Sequence, residues 1–391
     1  MDRDCAELAR TYAEIDLDAL QENLAALKAG IPAGMKLCCV VKADAYGHGA
    51  EVLAREMNDS ADLFAVAALS EAVALRRAAI AKPILVLSPV LPAAYEEAVR
   101  NFVTLTICDA ASAAAFAQVA ETLEVDAHVH VAVDTGMGRI GLTPDEAGLE
   151  ELQRIAAVPN LSVDGVFTHF AKADWRDKTR TEQQLQQFGK FCRAAKACGL
   201  QIPLWHCANS AALIEGFGTE FDMMRAGICL YGHYPSEETE RRVVLKPLLS
   251  LKSHLTFVKE VPAGSEISYG GIYCTERNLR VGTVCCGYAD GYPRALSGKG
   301  AEVLVAGKRC RVLGRICMDQ LMIDLSEVPE AKVGEVVTLI GQDGREQVSV
   351  EELAEGCGGF HYELLCNIGK RVPRIYRKQG ELLSAAQMLP E

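Results

Sequence analysis

The feature that most narrows what this chain can fold into is a rhythm. From residue 12 to about 235, short apolar, β-branched runs alternate with longer amphipathic segments, the pattern of repeated strand–helix units. The strand runs are Lys36–Val41, Leu63–Ala68, Ile84–Leu87, Thr104–Cys108, Ala127–Val133, Ser162–Thr168, Leu204–Cys207 and Asp222–Ile228. About eight such units is the number that closes a (β/α)8 barrel. A further helix precedes them: Asp18 is placed to cap it, Gln21 sits three residues on, Leu17, Leu20, Leu24 and Leu27 share a face, and Gly30 ends it. The helix over 179–199 is the longest. After about Lys246 the rhythm gives way to strand text broken by Gly and Pro, as in LRVGTVCCGYADGYP and AEVLVAGKRCRVLG. That text predicts a mainly antiparallel β domain in which only Ser349–Glu355 is helical. The expected fold is therefore α/β: a TIM-like barrel over residues 1–245, then a β domain over 246–391.

Composition narrows the partners. A chain of 391 residues, half of them hydrophobic, can bury more than one domain's core. With 40 Lys plus Arg against 52 Asp plus Glu, its net charge of −12 disfavours nucleic acid and anionic membranes, and favours a small-molecule partner. The start, MDRDCAELAR, carries no apolar leader, and no apolar run is long enough to cross a bilayer, so the expected location is the cytoplasm. The 15 cysteines sit largely in apolar runs such as Leu37-Cys38-Cys39-Val40 and read as reduced core thiols. Neither CxxC nor HExxH occurs, so no metal site is expected.

In a barrel, reactive groups gather at the C-terminal ends of the strands, and phosphates commonly sit after the seventh and eighth. The first strand runs straight into Lys42. A lysine fixed at a barrel mouth suits an imine with an aldehyde cofactor, because burial lowers its pKa and the strand fixes its reach; the alternative is a solvated lysine at a loop start. The fifth strand leads into Asp134-Thr135-Gly136-Met137-Gly138-Arg139-Ile140-Gly141, a literal GxGxxG. A dinucleotide site fits it poorly, since the acid of the next strand, Asp164, lies mid-strand and Arg139 lies inside the loop. Arg139 reads as a bidentate anchor for a carboxylate or as a surface ion pair. The sixth strand ends at His169, a ring-stacking or a structural histidine. The seventh delivers Asn209 and Ser210 to a helix start and the eighth ends Arg225-Ala226-Gly227-Ile228; both ends suit an anion, though Asn209-Ser210 is also ordinary capping text. Three patches of the β domain, around Tyr269, Tyr288 and Arg315–Asp319, are either turn chemistry or site loops.

Taken in order, VVKADAYGHG, VDTGMGRIG, FTHFAKAD, HCANSAA, RAGI-x-LYG, ISYGG, GYADGYPR, GRICMDQ and RVPRIY resemble the bacterial alanine racemases over nearly the whole chain. The resemblance implies a pyridoxal 5'-phosphate barrel followed by a β domain, assembled as a head-to-tail homodimer that shares its active sites. It implies an isomerase that interconverts L- and D-alanine and supplies D-alanine for peptidoglycan. Lys42 would form the internal aldimine and act as one acid–base group; Tyr269 of the partner subunit would be the other. Arg225 would meet the pyridine nitrogen, His169 would lie against the ring, and Tyr46, Ser210, Gly227, Ile228 and Tyr362 would hold the phosphate, with Asn209 also at the cofactor. Arg139 and the N–H of Met318 would take the substrate carboxylate, while Asp174, Tyr288, Arg315 and Asp319 line the approach. One departure stands out: two residues before the DTGMGR Asp, many members carry a carbamylated lysine that orients the arginine, and here Ala132 stands there. A bound anion, or a neighbouring carboxylate or amide, is then expected to hold Arg139. A serine or broader-specificity racemase, a related barrel-type decarboxylase and a pyridoxal-phosphate carrier are the alternatives. The decarboxylases need a glycine-rich phosphate loop not seen here, and the carriers lack the second domain.

Overall fold

The computed structural model describes residues 9–386, and the chain divides into two compact units. The first unit comprises the described residues up to Asp18, Tyr46–Gly49 and Leu248 onward; the second comprises Ala19–Ala45 and Ala50–Pro247.

The second unit is the barrel. Its strands are Lys36–Val40, Leu63–Val66, Ile84–Val86, Thr104–Ile107, Ala127–Ala132, Leu161–Phe167, Leu204–His206 and Met223–Ala226, all paired in parallel. The eighth strand returns to the first, with Cys38 opposite Arg225 on one side and Leu63 on the other. Most of the strand residues are apolar on both faces because helices cover the outside and side chains fill the inside; His128, His130 and Asp164 of the fifth and sixth strands are exceptions. Between the seventh and eighth strands the ladder is replaced by Asp222, whose N–H donates to Trp205 O at 2.9 Å and whose carboxylate accepts the Trp205 N–H at 2.8 Å. The helix Leu17–Ala29 precedes the first strand. Leu20, Leu24 and Leu27 are buried as their spacing predicts, but the cap is Asp16, which accepts the Asp18 N–H, and Gln21 donates instead to Glu56 O. Asp18 lies in the first turn, where its charge suits the helix dipole.

The other unit is a ten-stranded, mostly antiparallel sheet. Its spine is Leu249–Val261, alternately buried and half-exposed through Leu255, then bulged between Leu255 and Phe257 so that one half pairs with Val336–Asp343 and the other with Leu279–Val284. One strand comes from the start of the chain: Thr11–Asp16 lies antiparallel to Leu249–Ser253 and parallel to Arg374–Lys378. A single cut near residue 245 therefore does not describe this unit, because backbone pairing ties Thr11–Asp16 into the sheet. A second helix, His361–Cys366, joins the expected one, observed as Val350–Cys357 with the Ser349 hydroxyl as its cap. Most cysteines among the described residues are buried or half-buried, but Cys198, Cys274 and Cys366 are exposed and so are not core thiols. No helix among the described residues is long and apolar enough to cross a membrane, and no His/Cys/Asp/Glu group among them could hold a metal ion.

Candidate active site

The first barrel strand ends at Val40, and Lys42 opens a turn of unusual hand. Ala43, Asp44, Ala45 and Tyr46 all have φ near +53°, followed by Gly47 at +85°. Consecutive left-handed L-residues cost roughly 1–2 kcal/mol each, so the surroundings must hold them. Within the barrel unit, Ala45 N–H donates to Val41 O at 2.8 Å, Glu71 accepts the Ala43 N–H at 2.6 Å, and Asp44 accepts the Ala50 N–H at 2.7 Å. The turn leaves Lys42 half-buried at the strand end.

The sixth strand ends at Thr168, and His169 follows, half-buried. Burial and the positive charges of Arg225, Arg139 and Lys42 push its pKa down to about 3, so near neutrality the ring is uncharged. Arg225 is fully buried and donates through Nη1 to His206 Nδ1 at 2.7 Å, and through Nη2 to Thr168 O, Cys207 O and His169 Nδ1 at 2.9, 3.0 and 3.2 Å. An arginine only donates, so His206 carries its proton on Nε2 and passes it to His130 Nδ1, 2.9 Å away. Burial holds both histidines neutral, His130 at about 4 and His206 well below its ordinary value. A Cβ at position 165 would lie 2.6 Å from the His130 ring, so Gly165 makes the room. Sequence reading passed over His130 and gave His206 no role of its own. Regular alternation would put both histidines of the HVH on one face; a register shift between Val129 and His130 instead leaves His128 exposed and His130 buried, so the sequence pattern did not announce it.

At the seventh and eighth strand ends, Asn209 caps Ser210–Glu215 by accepting the Ala212 N–H, the ordinary capping role. Ser210 Oγ accepts the Gly227 N–H at 2.9 Å, and the turn Ile228–Tyr231 begins there with its first N–H groups pointing out of the helix. Arg225 beside them has no carboxylate partner among the described residues. A buried cation next to a hydroxyl and outward N–H groups is a donor set that fits an anionic, ring-bearing group such as pyridoxal phosphate.

Arg139 sits in the loop between Val133 and Leu142, which are joined by an isolated bridge. Asp134 accepts the N–H groups of Gly136 and Gly138, and the next helix begins only at Glu146, so the GxGxxG does not open a helix. Arg139 is exposed, and among the described residues no carboxylate or amide hydrogen-bonds its guanidinium; the expected protein partner is not there. Asp174 is half-buried, with its carbonyl taken by Ser236 Oγ at 2.5 Å.

In the β unit, Tyr46 and Tyr362 meet edge to face with centroids 5.9 Å apart. Tyr269 is 70% exposed at the tip of the hairpin Glu266–Ile267 / Tyr273–Cys274. The preceding Ser268 has φ +68° and ψ −175°, a region that non-glycine residues avoid, and its Oγ donates to Arg315 O at 2.6 Å. Tyr288 and Ala289 donate their N–H groups to Cys317 O and Met318 O, and Met318 is exposed, its own N–H without a backbone acceptor among the described residues. Asp319 is exposed, and Arg371 bridges it to the buried Asp290 at 2.7 and 2.8 Å. Arg10, Asp290 and Arg371 form an ion-pair cluster that motif spacing did not point to.

The family models of the alanine racemase N-terminal domain and of its C-terminal domain match residues 15–235 and 248–376. The chain belongs to the alanine racemase family. Among its relatives, an alanine racemase of Desulforamulus reducens is 44% identical over 93% of this chain and 98% of its own length, and one of Halothermothrix orenii is 41% identical over 94% and 97%. A solved alanine racemase from Clostridium difficile superposes with a TM-score of 0.94 at 38% identity, covering 98% of this chain and 99% of the other. Alanine racemases are pyridoxal-phosphate enzymes, consistent with the donor set at the strand ends.

Proposed function

We propose that this chain racemises alanine with pyridoxal phosphate, by proton transfer between Lys42 and Tyr269 of the partner subunit on opposite faces of the substrate. The observation that carries the reading is the convergence of Lys42, Arg139 and Arg225 on one neutral histidine at a barrel mouth. When bound, the cofactor supplies an electron sink for the carbon that loses its proton. Lys42 holds it from the first strand. Ser210, Gly227 and Ile228 would take its phosphate, and Asn209 holds Ser210 in place as the helix cap. Arg225 would meet the ring nitrogen; because a guanidinium does not release its proton near neutrality, it would leave that nitrogen unprotonated and disfavour transamination. The neutral His169 accepts from Arg225 at Nδ1, which leaves its Nε2–H to donate into the site. In the barrel unit Arg139 would receive the carboxylate, with Asp174 at the approach; in the β unit, which would complete the partner's site, the N–H of Met318 would do the same, with Tyr288, Arg315 and Asp319 at the approach.

Racemisation removes the α-proton from one face and returns it to the other, which two fixed groups do without either having to swing across. The exposed cluster of Tyr269 (70%), Met318 (52%), Ile272 (44%) and Tyr288 (40%) supports the homodimer, since apolar groups gathered on one loop set mark an interaction surface. A cytoplasmic enzyme supplying D-alanine for peptidoglycan fits this chemistry.

The test is to incubate purified protein and pyridoxal phosphate with L-alanine, L-serine or L-lysine and resolve the enantiomers. Alanine should be converted fastest, with some serine turnover, because one hydroxyl changes discrimination by only about 1–3 kcal/mol in such a pocket. Faster turnover of lysine overturns the assignment.

A further inference from the structure

With Ala132 where a modifiable lysine would stand, and no carboxylate or amide among the described residues on its guanidinium, the placement of Arg139 depends on its loop. The loop is closed at its base, where Asp134 N–H donates to Leu142 O and Leu142 N–H to Ala132 O at 2.8 and 2.9 Å, and it curls around the Asp134 carboxylate. What fixes it to the rest of the barrel is the helix Thr179–Ala197. Arg180 reaches Gly136 O at 3.3 Å, and Gln184, fully buried, makes three bonds. Its Nε2 donates to Thr135 Oγ1 at 3.1 Å and to His169 O at 3.0 Å, and its Oε1 accepts the Ala171 N–H at 2.9 Å. Thr135 in turn meets Thr168 Oγ1 at 2.8 Å, and Thr168 O is an acceptor of Arg225.

One buried amide thus ties the loop of Arg139 to the strand end of His169. We propose that Gln184 is a positioning residue for substrate binding: it holds the loop so that Arg139 meets the substrate carboxylate in register with His169. The proposal rests on the reading of Arg139 as the carboxylate anchor. Two hydrogen bonds from a planar, fully buried group define a direction; a buried amide with both donors used has no other arrangement open to it without leaving polar groups unpaired.

The experiment is a double-mutant cycle on the holoenzyme with Gln184→Met, which keeps the shape and removes the hydrogen bonds, and Arg139→Ala. Gln184→Glu, which keeps the acceptor for Ala171 but loses the donors, repeats the cycle if the methionine variant folds poorly. Loss of bonds of this kind is expected to raise KM for alanine about tenfold with kcat within about threefold. Since the two enantiomers have equal free energy, kcat/KM must fall by the same factor in both directions. Amide exchange over residues 134–141 should quicken in the Gln184 variant, independently of turnover. In the Arg139→Ala background, removing Gln184 should leave KM within about twofold, because the group it positions is gone. If Arg139→Ala raises KM but Gln184→Met multiplies it by the same factor in both backgrounds, or leaves KM and loop exchange unchanged, the positioning role is wrong while the carboxylate reading stands. If Arg139→Ala leaves KM unchanged, the carboxylate reading falls and the proposal with it.

Discussion

Lys42 and Tyr269 both leave strained backbone, but the strain is held in different ways. Lys42 opens a left-handed turn of four consecutive L-residues, locked inside the chain by Val41 O, Glu71 and Asp44, with Ala45 and Tyr46 buried. Tyr269 follows a single strained residue, Ser268, on an exposed hairpin held to the neighbouring loop through Arg315 O. The lysine's turn is held by hydrogen bonds and packing inside its own chain. The tyrosine stands on a tether, and its final placement is left to whatever covers that exposed surface, which the proposed dimer supplies.

That contrast breaks first in mixed dimers. Lys42→Ala and Tyr269→Phe should each lower activity by roughly 10²–10⁴, the usual worth of a general acid–base group. After subunit exchange of equal amounts, random pairing makes half the dimers hybrid with one intact site each, so about a quarter of wild-type activity should return. No recovery after confirmed exchange would place both groups in one chain.

A backbone pair sharpens the difference. Gly47→Ala puts a Cβ 2.2 Å from Leu365 O at φ +85°, and should destabilise by about 2–4 kcal/mol in urea titration. Ser268→Gly relieves φ +68° but loses the bond to Arg315 O; with each effect worth about 1 kcal/mol, stability should hardly move while kcat falls. Equal stability changes in the two variants would erase the distinction between a packed anchor and a tether.

A last contrast is a pH slope carried by the barrel's histidines. His130 and His206 are neutral when folded, with His130 lowered to about 4, and ordinary histidines protonate near 6.5 in the unfolded chain. A depressed histidine pKa means the unfolded state binds the extra proton, so this stability is fully present above about pH 6.5 and is lost as pH falls toward 4. Each such group steepens the fall by up to about 1.4 kcal/mol per pH unit. Urea midpoints that stay flat from pH 6.5 to 4.5 would contradict neutral, buried histidines.

Much of the barrel was legible because its strands are short apolar runs punctuated by helices, and the observed ends fall within about two residues of the expected ones. The strand Thr11–Asp16 was not, since its partners lie some 240 and 360 positions away and nothing local marks them. His361–Cys366 is only six residues long and follows Gly358-Gly359, so helical period had no room to show. Of the site, residues at strand ends could be found by position. The left-handed turn could not, because Ala-Asp-Ala-Tyr contains no glycine to announce positive φ, and Gln184 could not, because its partners are assembled only by tertiary folding.

The central claim is that two groups on opposite faces move the α-proton, Tyr269 serving the L-enantiomer and Lys42 the D-enantiomer. The most direct measurement follows α-hydrogen exchange in deuterated solvent with Tyr269→Phe holoenzyme, given L- or D-alanine separately. With only Lys42 left, D-alanine should take up deuterium without inversion, while L-alanine should neither exchange nor invert at a comparable rate. Equal exchange into both enantiomers, or racemisation that keeps pace with exchange, would show that one group serves both faces and that the two-residue account is wrong.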